Sequence, residues 1–311
     1  MPKISEIKER VGTDLANGVL STLAFFGMYG LPLSSKRVFE LLYQTRASKQ
    51  QVNEALEDLV LRSKVVKHDN LYALKSWDDL QSLMRDDETK KRWKQVDKYF
   101  KLLSSIPFIE HISIIHSLAI GNVNSESDID FFVITKPNRL YFVRSLVIVL
   151  FRMFGVYRTR TQIAGRLSFG YYVSSKALDL SEVEGKDPFM AFWFASFLPI
   201  FGKQTYLKLA ESNQWIYEFL PNYSPQARIE NIRRAESTLL KKFLETLLQL
   251  PAVLIEPLLR SIHITHTFNL PENHWATSTT IANRDVLKLQ AVSQRRLIVE
   301  KYENHRRNIA L

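Results

Sequence analysis

Residues 112–135 read ISIIHSLAIGNVNSESDIDFFVIT, and their reading decides the fold. Ile112 to Ile115 form an apolar strand, and His116-Ser117 make a tight polar corner. Leu118 to Gly121 start a short helix, and Asn122 to Ser127 form a polar loop. A second apolar strand then opens with two aspartates and runs on through Phe131-Phe132-Val133-Ile134. Successive strand side chains point to opposite faces, so Asp128 and Asp130 share one face and Ile129 and Phe131 the other. Two neighbouring carboxylates repel each other and call for a cation or a basic group between them. Hard oxygen ligands of this kind suit Mg²⁺, which keeps its waters and completes its shell with substrate phosphates. The helix start at Ser117 offers free backbone N–H groups to an anion. The corner therefore combines a metal-binding pair, Asp128 and Asp130, with a phosphate cradle at His116 and Ser117.

Upstream, Leu15, Val19, Leu23 and Phe26 recur at helical spacing, and Gly30-Leu31-Pro32-Leu33 ends that helix. Ser34 or Ser35 can cap a second helix, and Ser48 a third carrying Val52, Ala55, Leu56 and Leu59. Val65 to Leu74 read as two short strands turning at Asp69-Asn70. Three helices and a hairpin resemble a winged helix. In such a module Lys49, Gln50, Gln51 and Asn53 of the third helix would face a DNA groove, although Glu54, Glu57 and Asp58 on the same helix oppose it. Residues 76–105 are basic, with an apolar stripe of Trp93, Val96, Phe100 and Leu103 on a helix that Pro107 ends.

Downstream, Asn138 can cap a helix through Leu140, Val143, Val147 and Phe154. Arg139 and Arg144 fall in its early turns, where a cation opposes the helix dipole. A phosphate, the aspartate pair or a surface carboxylate would supply the missing partner. Arg158, Arg160 and Arg166 precede a strand, Leu167 to Val173, that carries no acid; Asp179, Glu182 and Glu184 follow it. Phe189 to Phe201 is an aromatic, core-type run read as a buried helix that Gly202 ends. Pro221-Asn222-Tyr223-Ser224-Pro225 marks a boundary. Residues 226–311 read as helical, with Leu239, Leu240, Phe243, Leu247 and Leu250 in one stripe interrupted by Pro251 and Pro257. His263 and His266 have a metal-ligand spacing but no third ligand beside them. The stretch from Arg284 to Arg307 is basic and amphipathic.

The 311 residues suffice for two domains and an extension. A net charge of +10 suits polyanionic partners, whether nucleotide, nucleic acid or an anionic membrane surface. The absence of cysteine excludes a disulfide framework and fits a cytoplasmic location. The first twelve residues, MPKISEIKERVG, lack a signal-type apolar core. The uncharged aromatic run Pro188 to Gly202 is too short to span a membrane, and no transmembrane segment is expected.

The apolar strand, small-residue corner and Asp-x-Asp strand resemble the nucleotidyltransferase superfamily with the DNA polymerase β-like fold. The match extends over roughly residues 15–225 to a bacterial group of nucleotidyltransferase-domain proteins with a winged-helix-like start. That group has Gly-Ser where His116-Ser117 stand, and asparagine near Gly170. The resemblance implies an α+β chain: a winged-helix-like module over 1–80, a nucleotidyltransferase-type mixed sheet with helices over 81–225, and a helical C-terminal region over 226–311. It implies Mg²⁺ held by Asp128 and Asp130, which would be the catalytic pair. Phosphates would meet His116, Ser117 and Arg139 or Arg144, and a nucleoside monophosphate would pass from a triphosphate to a hydroxyl acceptor. The third carboxylate of the superfamily has no counterpart on the Leu167–Val173 strand. A catalytically degenerate nucleotide sensor, or a regulator binding nucleic acid through the winged helix or the basic C-terminal region, is the alternative on the same fold.

Overall fold

Capping chemistry organises the first part of the chain. Helix α1 (Ile4–Gly27) is followed by strand β1 (Leu33–Ser34), α2 (Ser35–Glu40), α3 (Lys49–Leu61) and the hairpin β2 (Val65–His68)–β3 (Leu71–Leu74). The Ser34 hydroxyl accepts from Arg37 N at the start of α2, and Ser48 and Gln51 form a reciprocal capping box at the start of α3. Asp69 takes a φ of 53° in the hairpin turn, a left-handed conformation that Asp tolerates. Strand β1 pairs with β3, so the small sheet has the order β1-β3-β2. This two-residue strand is too short to carry an alternation and leaves no mark in the sequence.

The remainder runs α4 (Asp86–Ser105), β4 (Ile109–Ile115), α5 (His116–Ile120), β5 (Ile129–Thr135), α6 (Leu140–Met153), β6 (Leu167–Ser174), α7 (Ser181–Glu184), α8 (Pro188–Ala195) and β7 (Leu198–Phe201). It continues with α9 (Lys203–Ser212), α10 (Ile216–Phe219), α11 (Pro225–Ile229), α12 (Leu239–Phe268), β8 (Ile281–Ala282), β9 (Val286–Lys288) and α13 (Arg295–Ile309). The computed structural model describes residues 4–77, 86–230, 239–274, 278–290 and 293–309. The main sheet has six strands in the order β7-β4-β5-β6-β9-β8. Only β5 and β6 run parallel; the other pairs are antiparallel. The chain is therefore a mixed α+β protein.

Alternation along β5 splits the core into two layers. Ile129, Phe131 and Val133 pack against α4, α6 and α12, whereas Phe132 and Ile134 face α8, α9 and α13. Helix α1 joins the second layer: Phe25 stacks on Phe192 at 4.2 Å, and Tyr302 meets Phe25 edge-on at 5.6 Å. The N-terminal module thus shares a core with one face of the main sheet. The boundary expected at residue 80 lies outside the described residues, and Pro225, expected as a boundary, is the first residue of α11.

Three regions differ from expectation. The aromatic run 189–201 is divided into α8 and β7, because residues 198–201 form an edge strand on β4. Gly202 closes that run with a φ of 77°, and a β-carbon there would lie 2.0 Å from Glu110 O. The region 226–311 is not wholly helical, since β9 pairs with β6 and β8 pairs with β9. The Asn283 carboxamide oxygen accepts from Asp285 N and Val286 N and turns the chain into β9. Helix α12 runs unbroken through Pro251 and Pro257, contrary to the interruption expected there, and by length and composition alone it is long and apolar enough to cross a membrane.

Candidate active site

The acidic corner is held from behind. Arg92 of α4 is 7% exposed, and its guanidinium donates to Asn124 O (3.3 Å), Ser125 O (2.9 Å) and Ser127 O (3.0 Å). Glu88 holds the other side of that guanidinium at 3.2 Å. The Asn124 side chain accepts from Glu126 N and from the Ser127 hydroxyl. The loop ahead of Asp128 is thereby fixed to α4. Arg92 belongs to the basic run of 76–105, but its helical position turns it inward.

Asp128 stands just before β5 and Asp130 within it, both half-buried, with fully buried Ile129 on the opposite face. Burial and the neighbouring Asp130 push the Asp128 carboxyl up to about 6, against the pull of Arg158, which pairs with it at 2.7 Å. The nearby Ser168 hydroxyl adds a smaller pull in the same direction as Arg158. Opposite Asp130 on β6 stands Ser168, so the neighbouring strand presents a hydroxyl, and no carboxylate, beside the aspartate pair. His116 is exposed and takes a φ of 57°, a left-handed conformation that glycine adopts without strain. Its Nδ1 accepts from the Trp193 indole N–H at 3.2 Å.

Asp128, Asp130 and His116 line one cleft of about 1230 Å³ between the β5–β6 edge, α6, α8 and α12. Tyr171 and Trp193 form an aromatic wall, with ring centroids 5.8 Å apart and planes 20° apart. Most cations of the cleft are matched. Arg158 pairs with Asp128, Arg160 with Glu272, and Lys288 and Arg295 with Glu184. Glu184 is the one further acid facing the cleft from near β6, and it also accepts from the Tyr171 hydroxyl.

Arg144 has no such match. It is 6% exposed, and its Nε and Nη1 find no hydrogen-bond partner among the described residues. Its charge draws the Tyr157 phenol downward against the effect of burial. A buried guanidinium without an anion is costly, and the cleft is the space from which an anion can reach it. Beside it, His263 bonds the Ser145 hydroxyl at 2.8 Å, and burial and Arg144 push its pKa down to about 4, so the imidazole is neutral.

Of the residues singled out in the sequence, the structure brings Asp128, Asp130, His116 and Arg144 to the cleft. Ser117 and Arg139 do not line it. Arg139 instead donates to Asn138 O and Gln249 O and lies 5.2 Å over the Phe108 ring, which provides its partner near the α6 N-terminus. Helix α6 is capped by the Glu256 carboxylate, which accepts from Tyr141 N and Phe142 N, and not by Asn138. His263 and His266 line the cleft, but no group of three His, Cys, Asp or Glu residues among the described residues could hold a metal. Arg92, Arg158, Trp193 and Glu184 gain their roles only through tertiary contacts; an alternating Arg158-x-Arg160 ahead of an apolar strand is the one local hint.

No protein-family model matches the chain, and neither a curated protein nor a solved structure matches it.

Proposed function

We propose that the cleft binds a nucleoside triphosphate and transfers its nucleoside monophosphate to a hydroxyl acceptor, on a nucleotidyltransferase-type sheet preceded by a winged-helix-like module. One observation carries this reading: the Asp128–Asp130 pair and the unmatched Arg144 open onto the same cleft. Carboxylates alone would attract any cation, and Arg144 alone any anion. Together they fit a ligand that is itself an anion bound through a divalent cation.

Two carboxylates on one strand end suit Mg²⁺, which needs few protein ligands when phosphate oxygens supply the rest. Magnesium held by Asp128 and Asp130 would neutralise phosphate oxygens and the developing charge of transfer. Arg158, itself 45% exposed at its side chain, can turn outward to free Asp128. Arg144 would face the phosphates and stabilise the departing pyrophosphate. Trp193 and Tyr171 would offer the base a stacking surface. In the transfer the acceptor oxygen bonds to the α-phosphorus, the bond to the bridging oxygen breaks, pyrophosphate leaves, and the hydroxyl proton passes to solvent.

A second reading, a nucleotide sensor without turnover, is favoured by Ser168 opposite Asp130 and by the pairing of Glu184 with Lys288 and Arg295. One experiment separates the two. Thermal unfolding against a panel of nucleoside triphosphates, with and without Mg²⁺, reads binding; pyrophosphate release reads turnover. A ligand at 100 times its dissociation constant adds about 2.7 kcal/mol of stability. A Mg²⁺-dependent shift that is absent in Asp128→Asn and Asp130→Asn supports the site, and pyrophosphate release supports transfer. No shift with any triphosphate, or an unchanged shift in both variants, overturns the nucleotide reading.

A further inference from the structure

Helix α12 is apolar on its outward side, while its inward side mixes packed apolar residues (Leu248, Ala252, Leu259, Ile264) with polar groups that bond to the protein. Lys241 donates to Ile109 O at 2.5 Å, and Glu245 accepts from Phe108 N at 2.8 Å and pairs with Lys136 at 2.7 Å. Glu256 caps α6, and His263 meets Ser145. These bonds fix which side of the helix faces the protein. The outward side, from Phe243 to Ile262, is mainly apolar, with Leu250 67% and Leu254 72% exposed and with Thr246, Gln249 and Ser261 the exposed polar residues of that span. Glu245 and Glu256 are the only carboxylates between Leu239 and Phe268, and both are engaged inward.

The width of this face indicates its occupant. Val253, Leu254 and Ile255 are consecutive and all exposed, at 45%, 72% and 40%. At about 100° per residue they cover an arc of about 200°. A single partner helix, such as a second copy would bring, covers the narrower seam of a two-helix contact. An arc this broad fits immersion in an apolar medium. At the end of α6, Val149, Met153 and the following Phe154 are exposed as well. The chain carries a net charge of +10, and Lys242 is exposed at the edge of the face, so the surroundings complement anionic headgroups.

We propose that α12 docks the protein in the plane of an anionic bilayer surface, with Phe243, Leu247, Leu250, Leu254 and Leu258 at the boundary between headgroups and acyl chains. The inward bonds of Lys241, Glu245 and Glu256 hold the helix alongside the sheet, so it lies on the membrane and does not span it. Pro251 and Pro257 let the helix bend along that surface. The inference is independent of what the cleft binds.

The test is flotation of the full chain with phosphatidylcholine vesicles, with and without phosphatidylglycerol, alongside the double variant Leu250→Glu/Leu254→Glu. Both side chains are exposed, so the variant should keep the parent's unfolding temperature. The expected result is co-flotation with the phosphatidylglycerol vesicles, weakened by salt, and at least about tenfold weaker in the variant, since affinity follows the apolar area buried in the interface. Protein that stays in the dense fraction overturns the proposal, as does equal flotation of parent and variant. A dimer in solution that these two substitutions dissociate would also overturn it, by assigning the face to a second copy.

Discussion

Replacing Asp128 with Asn should stabilise the metal-free protein above neutral pH. The folded environment raises the Asp128 carboxyl from 3.8 to about 6 through burial and the charge of Asp130, despite Arg158. A raised folded pKa means that the native state binds this proton more tightly than the unfolded chain does. The ionised carboxylate therefore costs stability above pH 6, and the cost disappears as pH falls through 6 towards 3.8. The gap between the two values corresponds to at most about 3 kcal/mol. Asn carries no charge to desolvate and no repulsion towards Asp130, and it leaves Arg158 to turn into solvent. With an unfolding entropy scaled to 311 residues, about 3 kcal/mol amounts to about 5 °C in Tm. The assay is thermal unfolding of the parent and Asp128→Asn in a chelator at pH 8 and at pH 4.5. The variant should unfold up to about 5 °C higher at pH 8, with the difference shrinking towards zero at pH 4.5. Adding Mg²⁺ at pH 8 should raise the Tm of the parent and leave that of the variant unchanged. A variant that unfolds lower than the parent at pH 8 would refute the reasoning, because the Arg158 pair would then outweigh the repulsion.

Three further substitutions probe the supports of the site. Gly202→Ala would force a β-carbon to 2.0 Å from Glu110 O at a φ of 77°, and the protein should lose more than about 3 kcal/mol in denaturant unfolding. Arg92→Ala removes the donors that hold Asn124 O, Ser125 O and Ser127 O; it should cost about 2–3 kcal/mol and weaken any Mg²⁺-nucleotide shift beyond that loss, read by titration below the unfolding range. His116→Gly relieves a left-handed residue, worth about 1 kcal/mol against the flexibility that glycine adds. Stability should therefore change little, while triphosphate binding tightens in calorimetric titration; weaker binding would show that the imidazole helps to hold the ligand.

The parts of the fold that depend on neighbours in sequence were the legible ones. Ser48 and Gln51, three apart, make the capping box that their spacing predicts, and Asp69-Asn70 turn the hairpin. The strand–corner–loop–strand reading of 112–135 holds because alternation and a two-aspartate opening are local signals. Strands β7 and β9 were not legible. Each has three or four residues and becomes a strand only because an edge of the sheet is open to it. Cleft chemistry divides in the same way. Asp128 and Asp130 stand out as a motif, but the fates of Arg139 and Arg144 depend on α12, about a hundred residues further along. Two arginines near one helix N-terminus look equivalent in sequence; both terminal nitrogens of Arg139 donate to backbone carbonyls and its guanidinium covers Phe108, leaving only Nε without a partner among the described residues, whereas Arg144 lacks partners at Nε and Nη1 and faces the cleft.

That division bears on how the C-terminal region relates to the corner formed by residues 112–135. Among the described residues, Glu184 is the acid following β6 that lines the cleft, and it is neutralised by Lys288 of β9 at 2.8 Å and by Arg295 of α13 at 3.2 Å. Arg295 also reaches Asp187 at 2.6 Å, just ahead of α8 and its aromatic wall. Both cations come from beyond α12, so the last part of the chain completes the sheet edge and determines the charge of the cleft at once. With Glu184 held in this way, Asp128 and Asp130 are the acids left to meet a cation, and Arg144 is the buried cation left to meet an anion. A ligand carrying both charges would satisfy the three groups without breaking any of the ion pairs formed by Lys288 or Arg295. The only contact it would displace is the half-exposed Arg158 on Asp128. Such a ligand would thus require little rearrangement of the cleft, whereas freeing Glu184 for it would require the ion pairs with Lys288 and Arg295 to open.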